Sequence, residues 1–148
     1  MLTTNPSFLV YSAAMVVLCL NVLVLWAYSG AVRNRSKTTH NPEDISATAK
    51  GASLVDADPP SVARVLRAHR NAADNILPFA VLGLLFVLWG ASPMLTAIFC
   101  GVFVAARLGH SFSYLGEKQP WRTLSFAVGA AATLGMVGFL VRALVAAV

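Results

Sequence analysis

The apolar stretch Asn75 to Gly90 is too short to cross a bilayer, and lengthening it toward the N-terminus leads through Arg67-Ala-His-Arg70-Asn71-Ala-Ala-Asp74. A hydrocarbon layer about 30 Å thick takes about 20 residues of helix. A helix that starts near Ser61 or Val62, just after Pro59-Pro60, meets that length but carries charges and amides into the span. The stretch Pro93 to Ala106 has the same shortfall, so its helix must continue through Arg107 and His110 to about Leu115. Met1 to Val32 and Thr123 to Val141 are uncharged and long enough by themselves. With 57% hydrophobic and 11% charged residues and a mean hydropathy of +0.70, the chain is too apolar for a soluble domain of its size. The expected fold is all-α, an integral membrane four-helix bundle in a single domain over 1–148. Its spans are expected at about 7–32, 62–90, 94–115 and 121–146, with a polar connection over 33–60.

Arg67, Asn71, Asp74 and Pro78 follow one another at steps of four, three and four, so they form one stripe of a helix. Arg70 and Asp74 are spaced for an i, i+4 ion pair. A charge at membrane depth costs about 2.5 to 3.5 kcal/mol even on lenient insertion scales, so it usually faces a partner or a wet cavity. Snorkelling of the two arginines to headgroups is the plain alternative. Arg107, His110 and Tyr114 form a second stripe, at spacings of three and four. Arg122 and Thr123 fall in the first turn of the fourth helix, where free N–H groups and a positive dipole favour anions. Arg33, Arg35 and Lys37 end the first span. Four helices thus bring cations to one layer, which favours a binding site over four separate anchors.

The same basic residues orient the chain. The connection after the first span and the turn around Lys118 are basic, whereas Arg142 alone lies toward the opposite face. The positive-inside rule places the basic connections in the cytoplasm, with both termini and the Gly90 to Pro93 turn outside or lumenal, in a bacterial inner membrane or the endoplasmic reticulum. The formal charge of +5 is ordinary for such flanks, and no aromatic platform points to a nucleic acid. The first segment lacks a basic n-region and a clean cleavage site, so it is read as a span and not a signal peptide. Cys19 and Cys100 fall within spans and read as small apolar residues, with no metal site and no disulfide expected. Gly129, Gly135 and Gly138 with Ala130 to Ala132 read as a surface for close helix packing.

A ligand for this layer should be small and polyanionic, with one positive group to meet Asp74. Glutathione has two carboxylates, one ammonium and a thiol, so arginines can hold its carboxylates while the acid takes the amine. Arg67 and Arg107 supply cations from the two stripes. A nearby arginine or helix N-terminus lowers a thiol's pKa, and the thiolate is the species that attacks electrophiles. Arg122, with Thr123 beside it, is the candidate stabiliser. A lipophilic second substrate would arrive laterally from the lipid bilayer.

The strings Asn41-Pro42-Glu43-Asp44, Arg67-Ala-His-Arg-Asn with Asp74 and Pro78-Phe79, Arg107-x-x-His110-x-x-x-Tyr114-Leu115 and Pro120-x-Arg122 resemble the MAPEG family of membrane-associated proteins in eicosanoid and glutathione metabolism. The resemblance covers nearly the whole chain and is greatest to the branch of microsomal glutathione transferases and prostaglandin E synthases. It implies a homotrimer with glutathione bound between subunits on the cytoplasmic side. By position it implies glutathione contacts at Arg33, Arg70, Asn71, Asp74, His110, Tyr114, Arg122 and Thr123. It gives Arg122 the place facing the thiol and Asp44 that of a loop acid assisting prostaglandin isomerisation. Asp74 stands where those relatives have glutamate, and Thr123 and Phe126 stand where the synthase has serine and tyrosine. The connection from Tyr114 to Arg122 is one residue shorter than the synthase's. These departures favour a broader glutathione transferase or peroxidase over strict prostaglandin synthesis.

Two other readings compete. A non-catalytic scaffold of the same family would keep the fold without turnover. A haem-binding electron-transfer bundle would use His69 and His110, which fall at similar depth on different helices.

Overall fold

The computed structural model describes residues 2–47 and 50–148. Helix α1 runs Pro6–Ser36, a short α2 runs Pro42–Ala47, and α3, α4 and α5 run Pro60–Leu88, Pro93–Leu115 and Gln119–Ala146. Among the described residues, α1, α3, α4 and α5 are the four helices long and apolar enough to cross a membrane.

Local chemistry explains where these helices start. Asn5 caps α1 by accepting from the backbone N–H groups of Ser7 (2.9 Å) and Phe8 (3.4 Å), with Pro6 in the first turn. Ser92 and Pro93 repeat the device at α4, where the serine hydroxyl accepts from Leu95 N–H. Ser7 then donates from its hydroxyl to the Ala91 carbonyl at 2.8 Å, tying the start of α1 to the α3–α4 turn. Helix α1 continues past the expected 32 and ends at Lys37 in the left-handed conformation. The polar connection is not featureless either, because α2 sits between Thr38–Thr39 and Ser53–Leu54, which pair as a short parallel bridge.

In the bundle, α1 packs on α3 and α4, and α5 packs on α4 and α3. The core is a ladder of aromatic contacts between them. Phe79 and Phe103 stack with centroids 3.6 Å apart, and Phe86 meets Phe99 and Phe139 edge-on. Helix α1 approaches α3 closely at Gly83, where a Cβ would lie 2.9 Å from the Tyr11 ring. The outward faces are also apolar: Leu20, Val24 and Trp26 on α1 and Leu134, Val141 and Val145 on α5 are all exposed. Such helices, apolar all round, suit lipid as their solvent. The second half of α1, the first half of α3, the end of α4 and the start of α5 therefore meet at one end of the bundle, where most of the charges are.

Candidate functional site

The most constrained side chain at that end is Arg107, which is 1% exposed although it is a full cation. Its Nη2 donates both to the backbone carbonyl of Asn71 (3.1 Å) and to Asn71 Oδ1 (2.5 Å), bridging α4 to α3. Because guanidinium has only donors, this contact fixes which way the Asn71 amide points. Oδ1 faces Arg107, leaving the Nδ2 donors for whatever else meets the side chain. Arg107 Nε and Nη1, His110 Nε2 and Ser111 Oγ, all buried on the same stretch of α4, make no hydrogen bond among the described residues.

One turn further on, His110 donates from Nδ1 to the Arg122 carbonyl at 3.0 Å, joining α4 to the first turn of α5. Arg122 reaches back, its Cζ 4.7 Å from the centroid of the Tyr114 ring. Among the described residues no carboxylate lies within ion-pair distance of Arg122. Asn71, His110, Tyr114, Arg122, Thr123 and Phe126 line an open cavity of about 210 Å³. A neighbouring cavity of about 280 Å³ shares Tyr114 and Arg122 and adds Arg64, Arg67, Glu117 and Gln119. Its rim is closed by an ion pair between Arg64 and Glu117.

Of the residues singled out from the sequence, then, Asn71, His110, Tyr114, Arg122 and Thr123 share one cavity, Arg67 lies in the next, and Arg107 sits behind Asn71. The rest lie elsewhere in the single chain. Arg70 and Asp74 are exposed on α3, and the expected ion pair between them does not form. Arg33 lines a separate groove with Trp26, Ser29 and Gly30 and pairs with Asp58 at 2.8 Å, so its charge is not held in common with Arg122. Asp44 is on α2, and its Oδ2 accepts from Thr39 Oγ1 and Asn41 Nδ2, both at 3.1 Å. His69 is half-buried on α3 and lines neither cavity. The sequence reading passed over Ser111 and the Arg64–Glu117 pair. Ser111 follows Arg107 by four residues, so its helical spacing was the available signal; the ion pair spans 53 positions and has none.

Four membrane-length helices that gather their polar side chains at one end make this an integral membrane protein with a polar site at the edge of the apolar layer. The chain belongs to the MAPEG family, whose profile matches residues 11–142. It is 37% identical to the prostaglandin E synthase of Equus caballus over 124 residues, which are 83% of this chain and 78% of that one. It is 34% identical to microsomal glutathione S-transferase 1 of Homo sapiens over 138 residues, 91% of this chain and 89% of the relative.

Proposed function

We propose that the protein is a glutathione-dependent transferase or peroxidase that turns the glutathione thiolate on lipophilic electrophiles or hydroperoxides within the membrane. The observation that carries this reading is Arg122: a guanidinium held over the Tyr114 ring, at the wall of an open cavity, with no carboxylate within ion-pair distance among the described residues. A cation fixed in that way stabilises a thiolate more than a thiol, so it draws the proton off to water at the open mouth. The Thr123 hydroxyl, beside Arg122 on the same wall, donates to the same sulfur. Asn71 offers amide donors to a ligand carboxylate, Arg67 adds charge, and Asp74 takes the ammonium. Phe126 gives the cavity an apolar edge, where a lipophilic partner enters from the bilayer.

The name of one relative, microsomal glutathione S-transferase 1, supports glutathione as a reactant. Transfer or peroxide reduction is preferred to isomerisation because Asp44 Oδ2 is engaged in bracing its own turn and lines neither cavity. By the family likeness the working unit is a homotrimer. By charge distribution the site lies on the cytoplasmic side, with both termini opposite.

The test is turnover with glutathione against a chlorinated nitroarene, a lipid hydroperoxide and a prostaglandin endoperoxide, in wild type and in Arg122→Ala. The variant is expected to keep most of its glutathione affinity and to lose roughly 10² to 10³ in turnover, the usual cost of removing one preorganised donor. Turnover equal to wild type refutes the assignment, and turnover confined to the endoperoxide replaces it with an isomerase.

A further inference from the structure

The connection between α1 and α3 holds a polar cluster in which His40 faces two hydrogen-bond acceptors. His40 Nδ1 lies 2.7 Å from the backbone carbonyl oxygen of Val55, and His40 Nε2 lies 2.9 Å from Asp58 Oδ1. Both partners are acceptors. A neutral imidazole has one N–H and one lone pair, so it can serve only one of the two; the imidazolium, with two N–H groups, serves both. The same carboxylate oxygen accepts from Arg33 Nη2 at 2.8 Å. Asp58 is therefore shared by a cation at the end of α1 and by His40, just beyond the Thr38–Thr39 bridge strand.

We propose that His40, Asp58 and Arg33 form a proton-operated clasp that fastens the α1–α3 connection to the end of α1 when His40 is charged and releases it when His40 is neutral. The sign follows from the contacts. When the imidazolium loses its Nε2 proton, a lone pair faces the Asp58 oxygen, and that contact changes from attraction to repulsion. Arg33 holds Asp58 in place, so the ring is the part that must leave, and the adjoining Thr38–Thr39 strand leaves with it.

The charged groups facing His40 are Asp58 and, through it, Arg33. From α2, Asp44 is held by Thr39 and Asn41, the residues on either side of His40. Releasing the clasp therefore moves the Asp44 carboxylate as well. Nothing in this inference depends on glutathione being the ligand.

Amide hydrogen exchange of the full-length protein in lipid nanodiscs tests it, with peptides from 38–47 and 50–58 followed at pH 5.5 and pH 8 and corrected for intrinsic rates. Wild type is expected to exchange roughly tenfold more slowly at the lower pH, the effect of one hydrogen bond to a charged group. His40→Ala and Asp58→Asn should exchange fast at both. Nitrogen NMR of His40 gives a second reading, since the clasped ring must carry protons on both nitrogens. A wild type without the pH step, a step that persists in His40→Ala, or a singly protonated ring at pH 5.5 overturns the clasp.

Discussion

A buried arginine without a carboxylate partner is an expensive residue to keep, and Arg107 is kept at 1% exposure with two of its nitrogens unpaired. What it does for that cost is orient Asn71. Replacing it with methionine, of similar reach and no charge, removes the burial penalty, so the fold should melt no lower than wild type. Asn71 Oδ1 then loses its donor and the amide is free to turn over. The KM for glutathione is expected to rise about tenfold or more, while kcat at saturation changes less, because a bond to a charged group is worth about 1.5 to 3 kcal/mol. An unchanged KM in Arg107→Met would mean that the amide's orientation does not matter. The Arg107, His110 and Tyr114 stripe was legible from spacing alone, since three and four residues return to one face of a helix. Their partners were not. Arg107 meets a residue 36 positions away, and His110 meets the Arg122 carbonyl, an atom every residue has.

Among the elements, the two short apolar stretches show how far a length requirement reaches. Bilayer thickness demanded helices running into Arg67 and His110, and α3 and α4 do include them. Pro78 sits inside α3 without ending it, and Asn75 Nδ2 donates to the Asn71 carbonyl on the turn before. Small residues were less readable, because composition does not say which glycine meets a neighbour. In α5, a Cβ at Gly135 would run into the Phe99 ring, whereas one at Gly138 would have nothing within 4 Å among the described residues. Only the first is a close-packing site against α4. Phe99 is itself wedged edge-on against Phe86, so its ring cannot simply yield. Gly135→Ala is accordingly expected to destabilise by about 1 to 3 kcal/mol, the range of overpacking. Gly138→Ala should be neutral or stabilising by up to about 1 kcal/mol, from helix propensity. Thermal unfolding in one detergent compares the two, and equal shifts would sink the distinction.

For the whole molecule, the telling fact is what a single chain leaves open. Arg67, Arg70 and Asp74 are exposed on α3, next to cavities that already contain Asn71 and Arg122. A ligand held by Arg122 at one end and by Asp74 at the other must lie along the outer face of α3, where one chain provides only a single wall. Lipid is a poor second wall for two arginines and an aspartate, given the cost of leaving charges in hydrocarbon. A neighbouring copy supplies a wall without exposing them, and closed cyclic symmetry supplies it to every subunit alike. Arg33 lies in its own groove within the chain and pairs with Asp58, so under the proposed function it would serve a ligand only if a neighbouring subunit brought it there. Under the proposed function, whose trimer rests on the family likeness, three copies of the 15.7 kDa chain are expected by detergent-corrected light scattering. Trimers co-assembled from Arg33→Ala and Arg122→Ala chains should regain turnover that neither variant has alone, because one interface in the mixture can combine an intact Arg33 with an intact Arg122. Monomers that bind glutathione as tightly as wild type would show that one wall is enough, and mixtures no more active than their components would confine the site to a single chain.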